Sequence, residues 1–525
     1  MPGQSKILVF VALAIILGVP FLMKPPTPES AGEEDVRTLI VVTPHVQQIR
    51  SEFARAFDAW HRREHGEGVR MDFRTPGGTS EIIKQLQAQY TAAVRAGAVE
   101  ATPDGGFLME PGTIGFDLMF GGGSYDHGRL KRSGPRIDGP EGEQVTLPMS
   151  IPVGFDQAFL DDRFGENAIG AQELYDPDQY WIGTALSSFG IVYNRDLFEE
   201  KGLAEPNSFE DLTDPGLAGW VALADPRQSG SITTTFDSIL SNYGWERGWR
   251  TLRAMSANTR YFTASSTKPP IDVSQGEAAA GLAIDFYGRG QAQSVLAEGE
   301  EPGSGRVGYA DPAGSVYIDA DPVSVLRGGP DPELARRFVR FCLTDEAQAL
   351  WQFRAGVRDN PPGPDGEPMG PRVHELRRLP VRRAMYDAYG QFFVDQGVFP
   401  FEIASETTPA GWRSSIGVMM GAFAIDTADH QRAAWRAIRR ARAEDGFPRD
   451  VLEEMEDAFF AFPEHEMPDG TVLSFVPENY RAIRNSWRDP DYPDWGRLSE
   501  TRYARFFRDQ YRRVVELSAT HASAR

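Results

Sequence analysis

Apolar strand-like segments and amphipathic helix-like segments alternate after residue 37, and this alternation restricts the fold more than any other feature. Residues 38–42, TLIVV, form a continuous apolar run, which is typical of a strand buried on both faces of a parallel sheet. A helix with one apolar stripe follows, then the strand VRMDF, a second helix and a strand in GFDLMF. The pattern recurs from about residue 181. We therefore predict an α/β fold with two doubly wound lobes joined by a hinge.

The chain has 525 residues, which is too long for a single hydrophobic core. We assign residues 1–37 to a leader and tether, 38–188 to lobe 1 and 189–317 to lobe 2, with 318–357 returning to lobe 1. Two extended crossings would then connect the lobes. Residues 358–525 are rich in arginine, glutamate and aromatic residues, and we expect a mostly helical C-terminal extension whose role the sequence does not indicate.

An uncharged apolar run, ILVFVALAIILGVPFLM, covers residues 7–23. At about 1.5 Å per residue it spans roughly 25 Å, slightly less than the hydrocarbon core of a bilayer at about 30 Å. This length suits either a signal peptide or a signal anchor, and we favour an uncleaved anchor because no clear A-x-A cleavage pattern follows. The Pro- and Glu-rich residues 24–35 would then form an extended tether. In either case we expect the body of the protein to be exported from the cytoplasm.

The overall charge and the cysteine count exclude two classes of function. A net charge of −21 argues against nucleic-acid binding, which requires a concentrated basic surface. The single cysteine, Cys342, excludes an intrachain disulfide and a Cys-rich zinc site. It lies in an amphipathic helical pattern, so we expect a buried, inert thiol.

A turn rich in glycine and hydroxyl side chains precedes the second helix. In FRTPGGTSEIIKQL, residues Gly77, Gly78, Thr79 and Ser80 precede a helix that we expect to begin at Glu81, with the two hydroxyl residues as its caps. Ligands of open α/β sheets bind outside the carboxyl ends of the strands, and helix N-termini attract anions. We predict that this turn contacts an anionic ligand group, with simple helix capping as the alternative.

A matching loop occurs in the second lobe. The segment DPRQSGSITTTF places Ser229, Ser231 and Thr233 at the start of another helix. Two such helix starts facing each other across one cleft would clamp an anionic group. The segment is not a P-loop, because the required Gly-Lys-Ser/Thr is missing.

Several other residues are expected to reach the same cleft from loops or strand ends. These are Thr43, His45, Gly122, Gly123, Ser124, Ser187 and Ser188. A lone histidine in a loop is more often a hydrogen-bond partner than a ligand. In AIDFYG we expect Asp285 and Tyr287 on one face of a strand, where they could bind a metal or a cationic ligand.

Six segments resemble the periplasmic solute-binding proteins of ABC transporters, and most of all the branch of ferric-ion, thiamine and polyamine binders. They occur in family order over residues 38–351 and are TLIVVTPHVQQI, FDLMFGGGSYD, WIGTALSSFGIVYNRDLF, GLAGWVALADPRQSGS, VSQGEAAAGLAIDFYG and VYIDADPVSVLRGGPDPELARRFVRFCLTDEAQALW. The resemblance implies a type II clamshell that binds one solute between its lobes and presents it to a membrane permease, without catalysis and without a cofactor.

The resemblance leaves the solute open. It implies a small anionic compound with a phosphate or carboxylate, a thiamine-like compound, or Fe(III) with an anion. Ferric-binding relatives place a pair of adjacent tyrosines on the metal, and this sequence has no such pair; His45, Asp285 and Tyr287 would have to serve instead. Two other classes remain as alternatives: an exported enzyme whose active site is completed by the C-terminal region, and a ligand-sensing scaffold.

Two motif matches are rejected. HRREH, residues 61–65, fits the inverted zinc-peptidase spacing, but Gly66 and Gly68 follow at once, so we expect a solvated helix end. DPDYPDWGRLSE, residues 489–500, begins and ends like a calcium loop but has Pro493 and Asp494 where a ligand and the turn glycine belong.

Overall fold

The structure, a computed structural model, describes residues 36–301 and 303–523. The predicted leader and its tether lie outside the described residues. In the part of the chain that is described, none of the helices combines the length and the apolar composition needed to cross a bilayer.

The strands are longest at the centre of the main sheet, where they connect its two halves. In chain order they are β1 (Val36–Val42), β2 (Gly68–Arg74), β3 (Glu100–Ala101), β4 (Phe107–Leu108), β5 (Leu118–Phe120), β6 (Arg136–Asp138), β7 (Gln144–Thr146), β8 (Ser150–Ile151), β9 (Ile182–Asn194), β10 (Val221–Ala224), β11 (Thr259–Thr263), β12 (Ala280–Ile284), β13 (Val307–Ala310), β14 (Ile318–Leu326), β15 (Leu379–Pro380), β16 (Glu464–Glu466) and β17 (Val472–Ser474).

The helices alternate with the strands up to β14 and dominate the rest of the chain. In chain order they are α1 (Gln47–His65), α2 (Thr79–Arg95), α3 (Ser124–Arg132), α4 (Gln157–Phe164), α5 (Arg195–Glu200), α6 (Gly230–Tyr243), α7 (Trp245–Ala257), α8 (Lys268–Ser274), α9 (Asp285–Ser294), α10 (Pro332–Cys342), α11 (Asp345–Gln352), α12 (Ala384–Tyr389), α13 (Pro400–Ile403), α14 (Arg413–Met420), α15 (Ala428–Ala443), α16 (Arg449–Phe460), α17 (Pro477–Ser486) and α18 (Trp495–Ser523).

The main sheet has two parallel halves joined by antiparallel strands. Its order is β11-β10-β12-β9-β14-β5-β1-β2. β1 is parallel to β2 and β5, and β10 is parallel to β11 and β12. β9 is antiparallel to both β12 and β14, and β14 is antiparallel to β5. This arrangement confirms the predicted α/β class with two wound lobes connected by crossing strands.

β9 belongs to both halves of the sheet. It pairs with β14 up to Ser188 and with β12 from Phe189 onward. We use the name lobe 1 for residues 38–188 with 318–357, and lobe 2 for residues 189–317, as predicted from the sequence.

The C-terminal region packs as two parts, one on each lobe. β15 pairs with β9, and Leu379 and Val381 lie in the hydrophobic core of lobe 1. Ile416 and Trp435 instead lie in one continuous core with Phe236 of lobe 2. The region therefore extends both lobes and is not a separate appendage.

The segment between these two parts, residues 405–412, crosses from one lobe to the other. On the lobe 1 side the carbonyl of Ser405 accepts a hydrogen bond from the N–H of Ala171 at 2.9 Å. Its hydroxyl donates to Oδ1 of Asn242 in lobe 2 at 2.7 Å, and the N–H of Ala410 donates to Oγ of Ser241 at 3.0 Å. Within the described chain, three segments thus connect the lobes: β9, the chain that enters β14 at Ile318, and residues 405–412.

Two further sequence predictions can be placed in the fold. Cys342 is buried at the end of α10, as predicted. α1 ends at His65, but the expectation of a solvated end is wrong for His61, which is buried with its Nδ1 2.8 Å from the carbonyl oxygen of Glu67. Among the described residues, no group of three or more His, Cys, Asp or Glu side chains is arranged to hold a metal ion.

Candidate functional site

A cavity of 670 Å³ lies where strand ends of both lobes meet. The predicted site residues that line it are His45, Gly77, Gly78, Thr79, Ser80, Gly122, Gly123, Ser187, Ser229, Ser231 and Tyr287. A larger groove of 1060 Å³ lies between lobe 2 and the C-terminal helices and contains none of them. We identify the smaller cavity as the candidate site, because loops from both lobes converge on it as expected for an open α/β sheet.

The start of α2 presents backbone donors to the cavity. The helix begins at Thr79 and not at the predicted Glu81, with Gly78 as its N-cap residue at φ −71° and ψ 174°. No side chain caps the helix, so the predicted capping by Thr79 and Ser80 is wrong. The N–H groups of Thr79 and Ser80 have no acceptor among the described residues. These donors are available to an anionic group in the cavity.

The glycine-rich loop after β5 packs closely against the start of α2 and against the loop that follows β1. Gly121 and Gly122 have φ values of +94° and +119°, which favour glycine. A Cβ atom at Gly121 would lie 2.4 Å from Nε2 of His45, and one at Gly122 would lie 2.9 Å from Cγ2 of Thr79. Glycine is therefore required here for the loop to approach its neighbours.

The start of α6 presents hydroxyl groups to the same cavity. Ser229 is the N-cap residue, and its Oγ accepts a hydrogen bond from the N–H of Ile232 at 3.5 Å. Ser231 lies in the first turn of the helix, with its Oγ 3.1 Å from that of Ser229. The start of α6 thus offers hydroxyl groups to a ligand where the start of α2 offers main-chain N–H groups.

A further loop, also in lobe 2, lines the cavity and was not predicted from the sequence. Residues 264–267 follow β11, and the hydroxyl of Ser266 is 2.6 Å from that of Ser231 and 3.1 Å from that of Ser229. The run ASST between a strand and a short helix was the available signal, since it repeats the small and hydroxyl residues of the two predicted loops.

Asp321 joins several groups at the edge of the cavity. Its carboxylate accepts hydrogen bonds from the N–H of Gly122 at 2.8 Å and from Nη1 of Arg378, and it lies 3.0 Å from Nε2 of His45. Burial and the positive charges of Arg378 and Arg50 hold the pKa of His45 well below its usual range. His45 is therefore neutral, and its Nε2–H donates to Asp321.

Arg378 of the C-terminal region contributes a guanidinium group that the sequence analysis did not predict. It lines the cavity and is only 5% exposed. Its Nη1 donates to Oγ of Ser187 at 2.8 Å, and the group lies 4.0 Å from the ring centroid of Phe286. Burial lowers the pKa of Arg378 to about 10, so the group stays charged at neutral pH. Because no local motif surrounds this arginine, only the tertiary structure identifies it.

Arg413, the first residue of α14, also lines the cavity and was not predicted as a site residue. Its Nη2 donates to the carbonyl of Gly230 at 3.2 Å, and its Nη1 lies 3.8 Å from Oδ2 of Asp237. The guanidinium lies 4.7 Å from the ring centroid of Tyr125, which belongs to lobe 1. Arg413 thus contacts both lobes.

Three carboxylates also line the cavity, on the lobe 1 side: those of Glu81, Asp126 and Asp319. Oδ2 of Asp319 accepts a hydrogen bond from the N–H of Ser124 at 3.1 Å, whereas its buried Oδ1 has no partner in the described part of the chain. Burial raises the pKa of Asp319 to about 6 and also raises that of Asp126. These oxygens could accept hydrogen bonds from hydroxyl groups of a ligand.

Five predicted site residues do not line the cavity: Thr43, Ser124, Ser188, Thr233 and Asp285. The hydroxyl of Thr43 donates to a carbonyl of β5 at 2.6 Å, and that of Thr233 donates to two carbonyls of the preceding turn. Ser188 Oγ lies 3.4 Å from a tyrosine hydroxyl of β13, and the N–H of Ser124 is bound to a carboxylate. These side chains support the loops around the cavity.

The prediction that Asp285 and Tyr287 share one face of a strand is wrong. β12 ends at Ile284, and Asp285 begins α9, where its Oδ1 accepts the N–H of Phe286 at 2.8 Å. Asp285 is fully buried, and burial raises its pKa to about 7. His45 and Tyr287 line the cavity while Asp285 does not, so the cavity does not contain the three residues suggested for Fe(III).

Comparison with known proteins identifies one segment of the chain that is similar to a protein family. The sequence profile of the family described as bacterial extracellular solute-binding protein matches residues 155–369. The phosphoglycerate transport regulatory protein PgtC of Salmonella typhimurium is 25% identical over 169 residues, which cover 32% of this chain and 40% of that protein. An uncharacterized protein of Haemophilus influenzae is 28% identical over 171 residues, covering 32% of this chain and 46% of that protein. The match thus spans less than half the length of these curated relatives.

Solved structures of periplasmic binding proteins are also similar. AfuA of Actinobacillus pleuropneumoniae, with fructose-6-phosphate bound, is 16% identical, with 60% of this chain and 81% of that chain covered and a TM-score of 0.41. Iron-bound HitA of Pseudomonas aeruginosa is 19% identical, with 71% and 94% covered and a TM-score of 0.44. These scores are low, so the fold rests on the strand order described above. By its sequence, the chain is similar over residues 155–369 to the family described as bacterial extracellular solute-binding protein.

Proposed function

We propose that the protein captures a small anionic solute, phosphorylated or carboxylated, in the cavity between its lobes and presents it to a membrane permease outside the cytoplasm. The observation that carries this proposal is that the starts of α2 and α6, from different lobes, open onto one cavity of 670 Å³. Unpaired N–H groups at such starts, together with the helix dipole, favour negative charge.

Two further observations support an anionic solute. Arg378 and Arg413 bring guanidinium groups to the same cavity, and guanidinium groups bind phosphate and carboxylate well. The relative PgtC is described as a phosphoglycerate transport regulatory protein. The carboxylates of Asp126 and Asp319 face the cavity as well, so we expect the solute to carry hydroxyl groups beside its charged group.

A thermal-shift screen tests the proposal. The panel contains inorganic phosphate, 3-phosphoglycerate, fructose 6-phosphate, citrate, thiamine monophosphate, spermidine and Fe(III) with citrate. A solute that binds only the folded state raises the melting temperature by an amount set by RT ln(1 + [L]/Kd). We expect a rise with at least one phosphorylated or carboxylated member and unchanged solute afterwards, as solute capture requires. Stabilisation by spermidine alone, or conversion of the solute, would contradict the proposal.

A pair of variants on α2 localises the binding. Ser80→Glu places a carboxylate in the cavity, and we expect it to abolish the stabilisation by repelling an anionic solute. Ala88→Glu adds the same charge to an exposed position on the same helix, away from the cavity, and should leave the stabilisation intact.

A further inference from the structure

The positively charged side chains that line the cavity differ in their exposure and in the protein groups that they already contact. Lys84 has a side chain that is 75% exposed, and Arg227 is paired with Asp225 at 2.9 Å. Arg413 is hydrogen-bonded to a backbone carbonyl of α6. Arg378 is the most deeply buried of the four, and it lies beyond residue 369, where the solute-binding family match ends.

We propose that Arg378 is the residue that makes the cleft specific for solutes with a phosphate group over their unphosphorylated counterparts. This inference rests on the proposed function and adds to it the chemical class of the solute and the residue that selects it. It also assigns part of the recognition to the C-terminal region, which lies outside the matched domain.

The contacts of Arg378 hold its guanidinium in a fixed orientation. Nη1 makes both of its hydrogen bonds to protein, one to Ser187 and one to Asp321, while the ring of Phe286 covers the group at 4.0 Å. Nη2 makes no hydrogen bond to the described residues and is not among their enclosed, unsatisfied atoms. A donor of this kind is oriented before the solute arrives, so little freedom is lost on binding.

Burial makes this charge more selective than an exposed one. A charge-assisted hydrogen bond in a site shielded from water is stronger than one at the surface, and a buried guanidinium gains little from a neutral hydroxyl group. A phosphate monoester carries nearly two negative charges at pH 7 and has three acceptor oxygens. Removal of the guanidinium should therefore weaken binding of the phosphorylated solute more than binding of its unphosphorylated analogue.

The neighbouring Arg377 provides a matched control. It is as buried as Arg378, at 5% exposure, but it does not line the cavity. Its guanidinium donates to the carboxylate of Asp395 and to the carbonyl of Arg289 at 2.8 Å. A variant at this position disturbs a similar buried ion pair without removing a charge from the cleft.

The test compares two pairs of solutes by calorimetry: 3-phosphoglycerate with glycerate, and fructose 6-phosphate with fructose. In the unmodified protein we expect the phosphorylated member to bind at least about 100-fold more tightly in one pair. Arg378→Gln should reduce this preference by about 30-fold or more, in line with the loss of a charged hydrogen bond. Arg378→Lys should restore part of it, and Arg377→Gln should change it less than about 3-fold.

The outcomes separate this inference from the proposed function. If a phosphorylated solute binds and Arg378→Gln keeps the full preference, the inference is overturned and solute capture stands. If no solute of the thermal-shift panel or of the two pairs binds, both the role of Arg378 and the proposed solute capture are overturned. Should Arg378→Gln fail to fold, the double variant Arg378→Gln/Asp321→Asn removes both charges of the pair, and it must show the same loss of preference.

Discussion

The two helix starts that face the cavity, those of α2 and α6, are built from different donors. At α2 the N-cap residue is Gly78, without a side chain, and the free donors are backbone N–H groups. At α6 the N-cap is Ser229, and Ser231 and Ser266 hydrogen-bond with it, so the donors are hydroxyl groups already bound to each other.

This difference separates the expected effects of mutation on the two lobes. Backbone donors cannot be deleted by changing a side chain. On lobe 1, solute affinity should therefore fall when a new side chain occupies the N–H groups at the start of α2. Hydroxyl donors can be deleted one at a time, so on lobe 2 solute affinity should fall when a serine is changed to alanine. Variants that follow the opposite pattern would refute the comparison.

The start of α9 provides a comparison with the starts of α2 and α6, because a protein side chain already accepts a backbone N–H there. Oδ1 of Asp285 accepts the N–H of Phe286 in the first turn of α9, and burial raises the pKa of Asp285 to about 7, above the ordinary value of 3.8. A carboxyl group with a raised folded-state pKa binds more protons in the native state, so its contribution to stability is lost as the pH rises from about 4 to about 7. Between pH 5 and pH 8, the free energy of unfolding of the unmodified protein should fall by about 3 kcal/mol more than that of Asp285→Asn. Urea denaturation at the two pH values measures this, and equal pH dependence of both proteins would contradict it.

The strongest test of lobe 1 is the substitution Gly78→Asp. The new carboxylate can cap α2 and occupy the anion position, so we expect solute affinity to fall by about 100-fold while the melting temperature stays the same or rises. Gly78→Ala adds no acceptor and should change the affinity less than about 3-fold. Calorimetry with the best solute from the screen checks both, and similar losses in the two variants would show that steric crowding is the cause.

On lobe 2, Ser266→Ala removes the hydroxyl that links Ser229 and Ser231. We expect the solute to bind about 10-fold more weakly, because two donors lose their orientation at once. Ser294→Ala, at an exposed serine of lobe 2 that does not line the cavity, is the control. Equal affinities of the two variants would remove the proposed role of the loop.

The smallest effect is expected for Thr79→Ala, because the side chain of Thr79 does not cap α2. Affinity should change by less than about 3-fold, whereas the same type of change at Ser231 should cost about 10-fold. Titration of both variants with one solute measures the contrast. A larger loss at Thr79 would mean that a side chain, and not the backbone, is the donor of lobe 1.

The α/β architecture could be predicted because it is encoded in local patterns. The apolar run before Thr43 and the amphipathic helices that follow determine strands and helices almost independently of distant residues. The segment AIDFYG shows where such reasoning fails. Phe286 and Tyr287 favour strands by propensity, but β12 ends at Ile284 and the chain turns into a helix at Asp285.

The cavity was predicted in part, because loops after parallel strands must gather at one edge of the sheet. Arg378 and Arg413 could not be predicted, since they reach the cavity only through tertiary packing. Arg378 contacts a serine 191 positions earlier in the chain, and no motif marks it. For the same reason, the sequence did not indicate that residues 358–525 pack on both lobes.

The third covalent connection, residues 405–412, starts beside the chain that enters β14. The N–H of Ser405 donates to the carbonyl of Val316 at 2.9 Å, and the N–H of Gly314 donates to the carbonyl of Ile403 at 3.0 Å. Crossings that lie side by side act as one hinge, and a third crossing adds resistance to twisting of one lobe against the other. We therefore expect any opening of the cavity to be a bend about this line of crossings, and residues inserted within 406–411 should loosen it without altering any group that lines the cavity.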